Sequence, residues 1–474
     1  MFKKAFLVLI SLFCVLALIA CGPEEEEKKD PVQLNAPSGF AIEENYIYFN
    51  ILSSAKEYVV KFANENESIE RVISETGVSV AELMIPAGTY QVSIKAIGDG
   101  ENYLDSEFSS PVEYVKEEHI MELKERALIN EGYIKWMGRT YYNEDTKANE
   151  VYHSASGFEL FFKGSYVNAS ITATNYGDSS KRPYIVIVID DDFDHAKTIS
   201  LNKATQVVTL VSDNTDIEEH KVDLYKRSES IDSHIAIQSV ETDGIFIKKI
   251  VNKDLKIEFI AASSSTGYGN LGKSTDTKTT ANSDAINAFA FLTAKALNAD
   301  VSIFSASGWG CKASLWTSPN TVNVPDAYDY VDFNSKKVWF TQLYTPDVIV
   351  VNLGTNDWSY ISAVSGSERD QRMTDFKNKY VEFLNKLHEL YPNAQIVVLY
   401  GLMNETNIYL VTEDIVTIAK QTNPTLASIK LNGDAQGCNS HPSKASHKDI
   451  ATKLTVFIKG LLKNKYRIKT CVKV

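Results

Sequence analysis

The chain has 474 residues, too many for one compact core, so two to four domains are expected. Hydrophobic residues make up 44% and charged residues 23%, ordinary values for folded globular material, and the 24 tyrosines within an 11% aromatic content lean toward β-rich or carbohydrate-facing surfaces. A formal charge of −13 without any Lys/Arg-dense block excludes a nucleic-acid binder, because phosphate recognition needs a concentrated basic face, and it disfavours acidic substrates.

Residues 1–21, MFKKAFLVLISLFCVLALIAC, join a basic start at Lys3 and Lys4 to an apolar run of signal-peptide length with small residues before Cys21. This predicts an export signal rather than part of the fold, and the run is too short and too early for a spanning anchor. Residues 22–33, beginning GPEEEEKKDPV, are charged and proline-flanked, as a solvated tether would be. From 34 to 116, short alternating runs such as Tyr46–Phe49, Tyr58–Phe62 and Tyr90–Ile94, separated by turn residues, predict a β-sandwich. A second β-rich block, 117–248, carries the runs 157–164 and 167–171, then Tyr184–Ile189 ending at three aspartates, and its long loops predict a jelly-roll. Asp190 to Asp192 read as an acidic hairpin turn, since no EF-hand spacing follows. Arg139 and His220 are given structural roles, an exposed cation and a strand-starting imidazole with a local partner.

The last block, 249–474, changes rhythm. Apolar strands at 256–260, 301–304, 348–351 and 395–399 alternate with helix-like segments at 283–297, 369–390 and 446–462, predicting an α/β domain with a mostly parallel sheet flanked by helices. Met373, Phe376, Tyr380, Phe383, Leu384 and Leu387 recur at spacings of three and four, so that helix packs one face on the sheet.

Four loops at the presumed strand ends carry candidate chemistry. Ser263 follows the first strand in IEFIAASSSTGYGN, Gly308 follows the second, Asn356 lies in Gly354-Thr355-Asn356-Asp357 after the third, and His441 lies in Asn439-Ser440-His441-Pro442-Ser443 before the last helix. A serine, a late histidine and loops offering small or amide donors are the parts acyl transfer requires: a nucleophile, a base that carries its proton to the leaving alkoxide, and donors for the oxyanion. Trp309, Trp316, Trp358 and Tyr360 lie near these loops, and Trp309 and Trp358 are candidates for lining a glycan by ring stacking, with packing beneath the loops the alternative. Cys14 goes with the signal, and setting aside Cys21 at its end leaves Cys311, Cys438 and Cys471. Cys311 and Cys438 flank the motif loops, so a disulfide and simple burial are both open, burial being favoured. No cysteine pair or histidine cluster has zinc-like spacing, so neither metal nor organic cofactor is implied.

Three resemblances sharpen this outline. Leu18-Ile19-Ala20-Cys21 resembles the bacterial lipobox, which implies that Cys21 is lipidated and the mature protein exported and anchored to a bacterial membrane, at the cell surface or outer membrane. APSGF, AKEYVVKF and PAGTYQVSIKAIGDGENYLDSEFSSP resemble a fibronectin type III domain, implying a spacer or binding module. Gly138-Arg139, ASGFELFFKGSYVNASI, the strand ending at Asp190 and HKVDLYKR resemble the amino-terminal jelly-roll of carbohydrate esterase family two, and the loops at Ser263, Gly308, Asn356 and His441 resemble the SGNH hydrolases to which that family belongs. The resemblance implies Ser263 as nucleophile, His441 as base, and an oxyanion hole from Gly308, Asn356 and the amide of Ser263, acting on an acetylated polysaccharide. Ala261-Ala262 stands where the family has Gly-Asp, and Cys438 and Asn439 stand where it has an aspartate before the histidine. The imidazole is then oriented by Asn439, by a backbone carbonyl as in some dyad relatives, or by the remoter Asp434. A glycan-binding surface protein that keeps the scaffold without turnover is the rival reading.

Overall fold

The computed structural model describes residues 30–124, 131–214, 218–317, 323–333 and 335–471, with side chains as far as residue 463. The expected export signal, Cys21 and most of the charged tether lie outside the described residues. The chain forms two compact units, one reaching Val80 and resuming over Gly88–Lys116, the other made of Ala81–Ala87 and Glu117–Val474.

In the first unit, strands Glu57–Ala63, Ser68–Ile73, Gly88–Ile97 and Val112–Lys116 build an antiparallel sheet of four, and Ala41–Glu43, Tyr46–Tyr48 and Val78–Ser79 one of three. Period-two alternation selects the buried face, with Tyr90, Val92, Ile94 and Ala96 all at most 1% exposed. Val32–Gln33 pairs in parallel with Tyr103–Leu104, so the expected tether ends before residue 33 and its last residues belong to this unit.

The second unit begins with two antiparallel sheets of six strands each. One contains Gly157–Lys163, His220–Lys226 and Tyr184–Ile189, the other Val167–Ala173 and Ile235–Thr242. Their facing residues, among them Phe158, Leu160, Ile187 and Leu224 against Ile171, Leu210, Ile237 and Val240, form one buried core. At the end of Tyr184–Ile189 the chain turns through Asp190 and Asp191, both with left-handed backbone, where Asp190 holds His220 at 2.7 Å and Asp191 pairs with Lys221.

The remainder is a five-stranded parallel sheet of order β2-β1-β3-β4-β5, with β1 Leu255–Ala261, β2 Ala299–Ser305, β3 Val348–Asn352, β4 Gln395–Tyr400 and β5 Ala427–Lys430. Helices α1 (Phe289–Ala296), α2 (Thr355–Ser362), α3 (Gly366–Leu390), α4 (Tyr409–Ala419) and α5 (Lys444–Cys471) accompany it. Both faces are covered: Ile349 and Val351 of β3 join Phe376, Tyr380 and Ile415 of α3 and α4, whereas Val348 and Val350 join Phe289 of α1 and Ile450 and Leu454 of α5. The helix expected over 283–297 is reduced to α1 because Asp284 caps a separate turn, Ala285–Asn287, through a bond from the Ile286 amide. β5 is short and half-buried, and its sequence lacks the apolar run that marks the other four strands.

No break separates the β region from the parallel sheet. Val186, Val188 and Tyr225 on the outer face of one antiparallel sheet enter the same core as Ile257, Phe259, Phe289 and Phe291. Arg139, expected as an exposed cation, is instead 1% exposed. Its guanidinium donates to the carbonyl oxygens of Tyr328 and Tyr330 at 2.6 and 2.8 Å, meets Glu258 of β1 at 3.2 Å, and lies 4.1 Å from the Phe304 ring centroid. The sequence hides this because the aromatic cage lies more than 100 residues downstream. Truncation would leave the buried Glu258 carboxylate with only the Ser302 and Tyr328 hydroxyls and no counter-charge, so Arg139→Ala is expected to destabilise the second unit by about 3–5 kcal/mol in denaturant unfolding, and a loss under about 1 kcal/mol would contradict the assignment.

Candidate active site

β1 lies between β2 and β3, and the register pairs Ala261 with both Ser305 and Asn352. Loops leaving these aligned strand ends carry Ser263, Gly308 and Asn356 from neighbouring positions at the carboxyl edge of the sheet. Ser263 opens the turn Ser263–Thr266 and is 8% exposed. Ala262 has φ −116, so the alanines standing for Gly-Asp impose no left-handed strain, and the reversal falls on Gly267 at φ +72. Gly269 then makes the closest approach: a Cβ there would sit 2.2 Å from Cβ of Cys438. Across that gap the Cys438 amide donates to the Gly269 carbonyl at 3.0 Å, and the Lys444 amide donates to that of Asn270 at 2.9 Å. The Asn270 side chain bonds both backbone groups of Asp284 at 2.9 Å. The GYGN run thus clips the histidine loop to the serine loop.

His441 Nε2 lies 2.7 Å from Ser263 Oγ. Its Nδ1 faces two carbonyl oxygens, of Cys438 at 3.1 Å and Asn439 at 3.3 Å, so the neutral ring carries its proton on Nδ1 and offers a bare Nε2 to the serine hydroxyl. Asn439 and Ser440 hold left-handed backbone at φ +50 and +60, a strain of about 1–2 kcal/mol per residue that turns those carbonyls toward the ring. The orienting group on Asn439 is therefore its main chain, since its side-chain amide donates to the Tyr268 hydroxyl at 2.9 Å. Asp434 is engaged elsewhere, accepting from the Ser443 and Gln436 amides and the Ser443 hydroxyl. Tyr268 stacks on the imidazole, ring centroids 4.1 Å apart. Burial holds the His441 pKa below its ordinary value, with the two carbonyls and Glu229 opposing and Lys278 adding to the depression.

The amides of Ser263 and Gly308 have no acceptor among the described residues, whereas their neighbours Ser265, Ser307 and Trp309 are engaged. Gly308 is left-handed at φ +78, and a side chain there would meet Cβ of Trp316 at 3.0 Å. The Asn356 side-chain amide spends one hydrogen on the Trp309 carbonyl at 2.9 Å, leaving the other for a ligand. Asp357, 1% exposed, accepts from the amides of Cys311, Lys312 and Ala313 at 2.8, 2.7 and 3.1 Å, fixing the β2 loop to the start of α2. Burial raises its carboxyl to about 6 against the pull of those amides. Two amides, a half-free side-chain amide and a serine–imidazole pair can receive and stabilise a tetrahedral oxyanion.

The expectation that Trp309 lines a glycan is corrected: it is 5% exposed, and its ring packs 4.6 Å from that of Phe333 in the core. Trp358 is also half-buried on the core, with the Arg369 guanidinium 4.8 Å over its ring. Trp316 is the tryptophan presented to solvent, 73% exposed beside Gly308. Both Cys311 and Cys438 are buried free thiols, and Cys438 fits among glycines. Sequence reasoning passed over Tyr268, Asp357 and Glu229. The first two stand inside quoted motifs, but Glu229, which bonds Ser307, carries no local signal.

Residues 136–247 match the model of the carbohydrate esterase 2 N-terminal domain. The chain is 28% identical over 321 residues to the cellulase/esterase CelE of Acetivibrio thermocellus, covering 65% of this chain but only 37% of that protein. It is 27% identical to an acetylxylan esterase / glucomannan deacetylase of Cellvibrio japonicus, over 70% of this chain and 89% of the relative. Among solved structures, a family two carbohydrate esterase from Clostridium thermocellum in complex with cellohexaose aligns with a TM-score of 0.61 and 25% identity, over 70% of this chain and 99% of that one. The matched family model and that structure both carry the name of carbohydrate esterase family two, and the two relatives are named as esterases. Asp357→Ala would strand the buried Cys311 amide, worth about 1–3 kcal/mol, and release the part-buried amides of Lys312 and Ala313, so the variant is expected to lose about 2–3 kcal/mol in denaturant unfolding. A loss under about 1 kcal/mol would show that the carboxylate does not hold the loop.

Proposed function

We propose that the chain is a carbohydrate esterase that removes small acyl groups, acetyl above all, from a polysaccharide. The observation that carries this reading is the 2.7 Å contact between Ser263 Oγ and His441 Nε2, at the edge where the Ser263 and Gly308 amides stand without acceptors. Relatives named for acetylxylan and glucomannan supply the substrate class.

In this reading Ser263 Oγ attacks the ester carbonyl carbon while its proton passes to Nε2 of His441. The oxyanion is received by the amides of Ser263 and Gly308 and by the side-chain amide of Asn356. The imidazolium, steadied by the Cys438 and Asn439 carbonyls in place of a carboxylate, returns the proton to the departing sugar oxygen. Water, deprotonated by the same ring, then releases the acid from Ser263. Trp316 offers its face to the sugar rings flanking the ester, a contact of about 1 kcal/mol. The lipobox at Cys21 supports anchoring to a bacterial membrane, and the first unit, with its fibronectin-like sequence, serves as spacer.

Acetate release from an acetylated xylan or a nitrophenyl ester by the full chain is expected to fall at least about 10⁴-fold in Ser263→Ala. Equal inactivity of wild type and variant, with retained oligosaccharide binding, would instead establish a binding protein. Only the neutral imidazole acts as base, and burial lowers its pKa, so kcat/KM is expected to rise with pH through a midpoint below 6.5 and then level. A midpoint above 6.5 would contradict the site as described.

A further inference from the structure

Glu229 belongs to the β region, in the loop after His220–Lys226, yet its carboxylate reaches into the hydrolase loop beside the site. Oε2 accepts the Ser307 amide at 3.0 Å and Oε1 the Ser307 hydroxyl at 2.8 Å. Glu229 is 3% exposed. Lys278 pairs with it at 3.0 Å and with Asp232, while Lys226 donates to the carbonyls of Ser228 and Glu229 at 2.6 and 3.2 Å. The Lys278 ammonium also lies 5.5 Å from the ring centroid of Tyr268, the residue stacked on His441.

The geometry points to Glu229 as a positioning residue for the oxyanion hole, supplied to the hydrolase by the β region, with Lys278 fixing its direction. The Ser307 amide and hydroxyl hydrogens are both turned onto one carboxylate, which sets the plane of the Ala306–Ser307 peptide, one before the peptide that carries the Gly308 amide. The Gly308 amide, at φ +78, is then the next donor in line and is left without a protein acceptor among the described residues. A buried charge so committed to a loop backbone is poorly explained by stability alone, because buried ion pairs often contribute little net free energy. Lys278 keeps Glu229 ionised, and the two carry opposite influences to His441, which also faces His447 and the Cys438 and Asn439 carbonyls.

This inference rests on the esterase reading and is tested in the full chain with two variants. Glu229→Gln keeps the volume but puts an amide where one Ser307 hydrogen or Lys278 must be received. Its kcat on an acetyl ester is expected to fall about 30- to 300-fold with KM within about 3-fold, the scale of one oxyanion donor. Asp232→Asn removes the other partner of Lys278 without touching Ser307; it should lower the unfolding temperature while kcat stays within about 3-fold. Equal kcat losses in the two variants, or less than a 3-fold loss in Glu229→Gln, would overturn the assignment and leave a structural ion pair. A crystal structure of Glu229→Gln judges the same claim without turnover: the Gly308 peptide should be rotated, and an unchanged loop over residues 306–310 overturns the proposal. An inactive wild type would therefore sink the esterase reading alone.

Discussion

A hydrogen bond between side chains 178 residues apart, Ser263 Oγ to His441 Nε2, is the constraint on which the second unit depends. Neither partner is long enough to find the other; their backbones must be brought together. The parallel register of β1, β2 and β3 sets the serine beside the two donor loops, and the Gly269–Cys438 approach sets the histidine loop against the serine loop. The left-handed turn at Asn439 and Ser440 then presents the Cys438 and Asn439 carbonyls, which supply from the main chain what a carboxylate supplies in a triad: an acceptor that fixes the tautomer. Carbonyl dipoles stabilise an imidazolium less than a full charge does, so this arrangement secures geometry more than electrostatic drive.

The β region acts as a wall of that site rather than as an appended module. Arg139 in a cage of Phe304, Tyr328 and Trp339, Tyr225 packed edge-on to Phe291, and Glu229 on Ser307 are three kinds of contact through which it meets the sheet. Beside its own core, the β region thus shares a second one with the sheet across the boundary near 248, where the match to the family's N-terminal domain also ends. Which tryptophan stands in solvent beside Gly308 is also decided by packing. Trp309 goes inward because the left-handed turn at Gly308 directs the following residue to the core, and Trp316 is left outside.

The strands of the parallel sheet were legible because buried parallel strands read as unbroken apolar runs, and α3 because its apolar residues recur at helical spacing. Ser263, His441, Gly308 and Asn356 stood out because each occupies a strand-end loop in a fixed order. Side-chain direction was not legible. Trp309 and Trp316 are equivalent in a string of letters, and nothing near Arg139 announces that its partners lie at 258 and 328–330. Ala261-Ala262 stands where Gly-Asp is expected, yet the reversal is made five residues after Ala262, at Gly267, where a glycine is present. Asn439 meets the imidazole through its carbonyl and not its side chain, because the left-handed backbone that exposes that oxygen is a property of the folded loop.

The central claim is that Ser263 is a nucleophile activated by His441. An organophosphonate ester that phosphonylates activated serines, followed by intact-mass and peptide analysis, tests it without reference to any particular polysaccharide. The account predicts one adduct on the wild-type chain, located at Ser263 rather than Ser264 or Ser265, and none within the same time on His441→Ala. An unlabelled wild type, or labelling that is equally fast without His441, would contradict it.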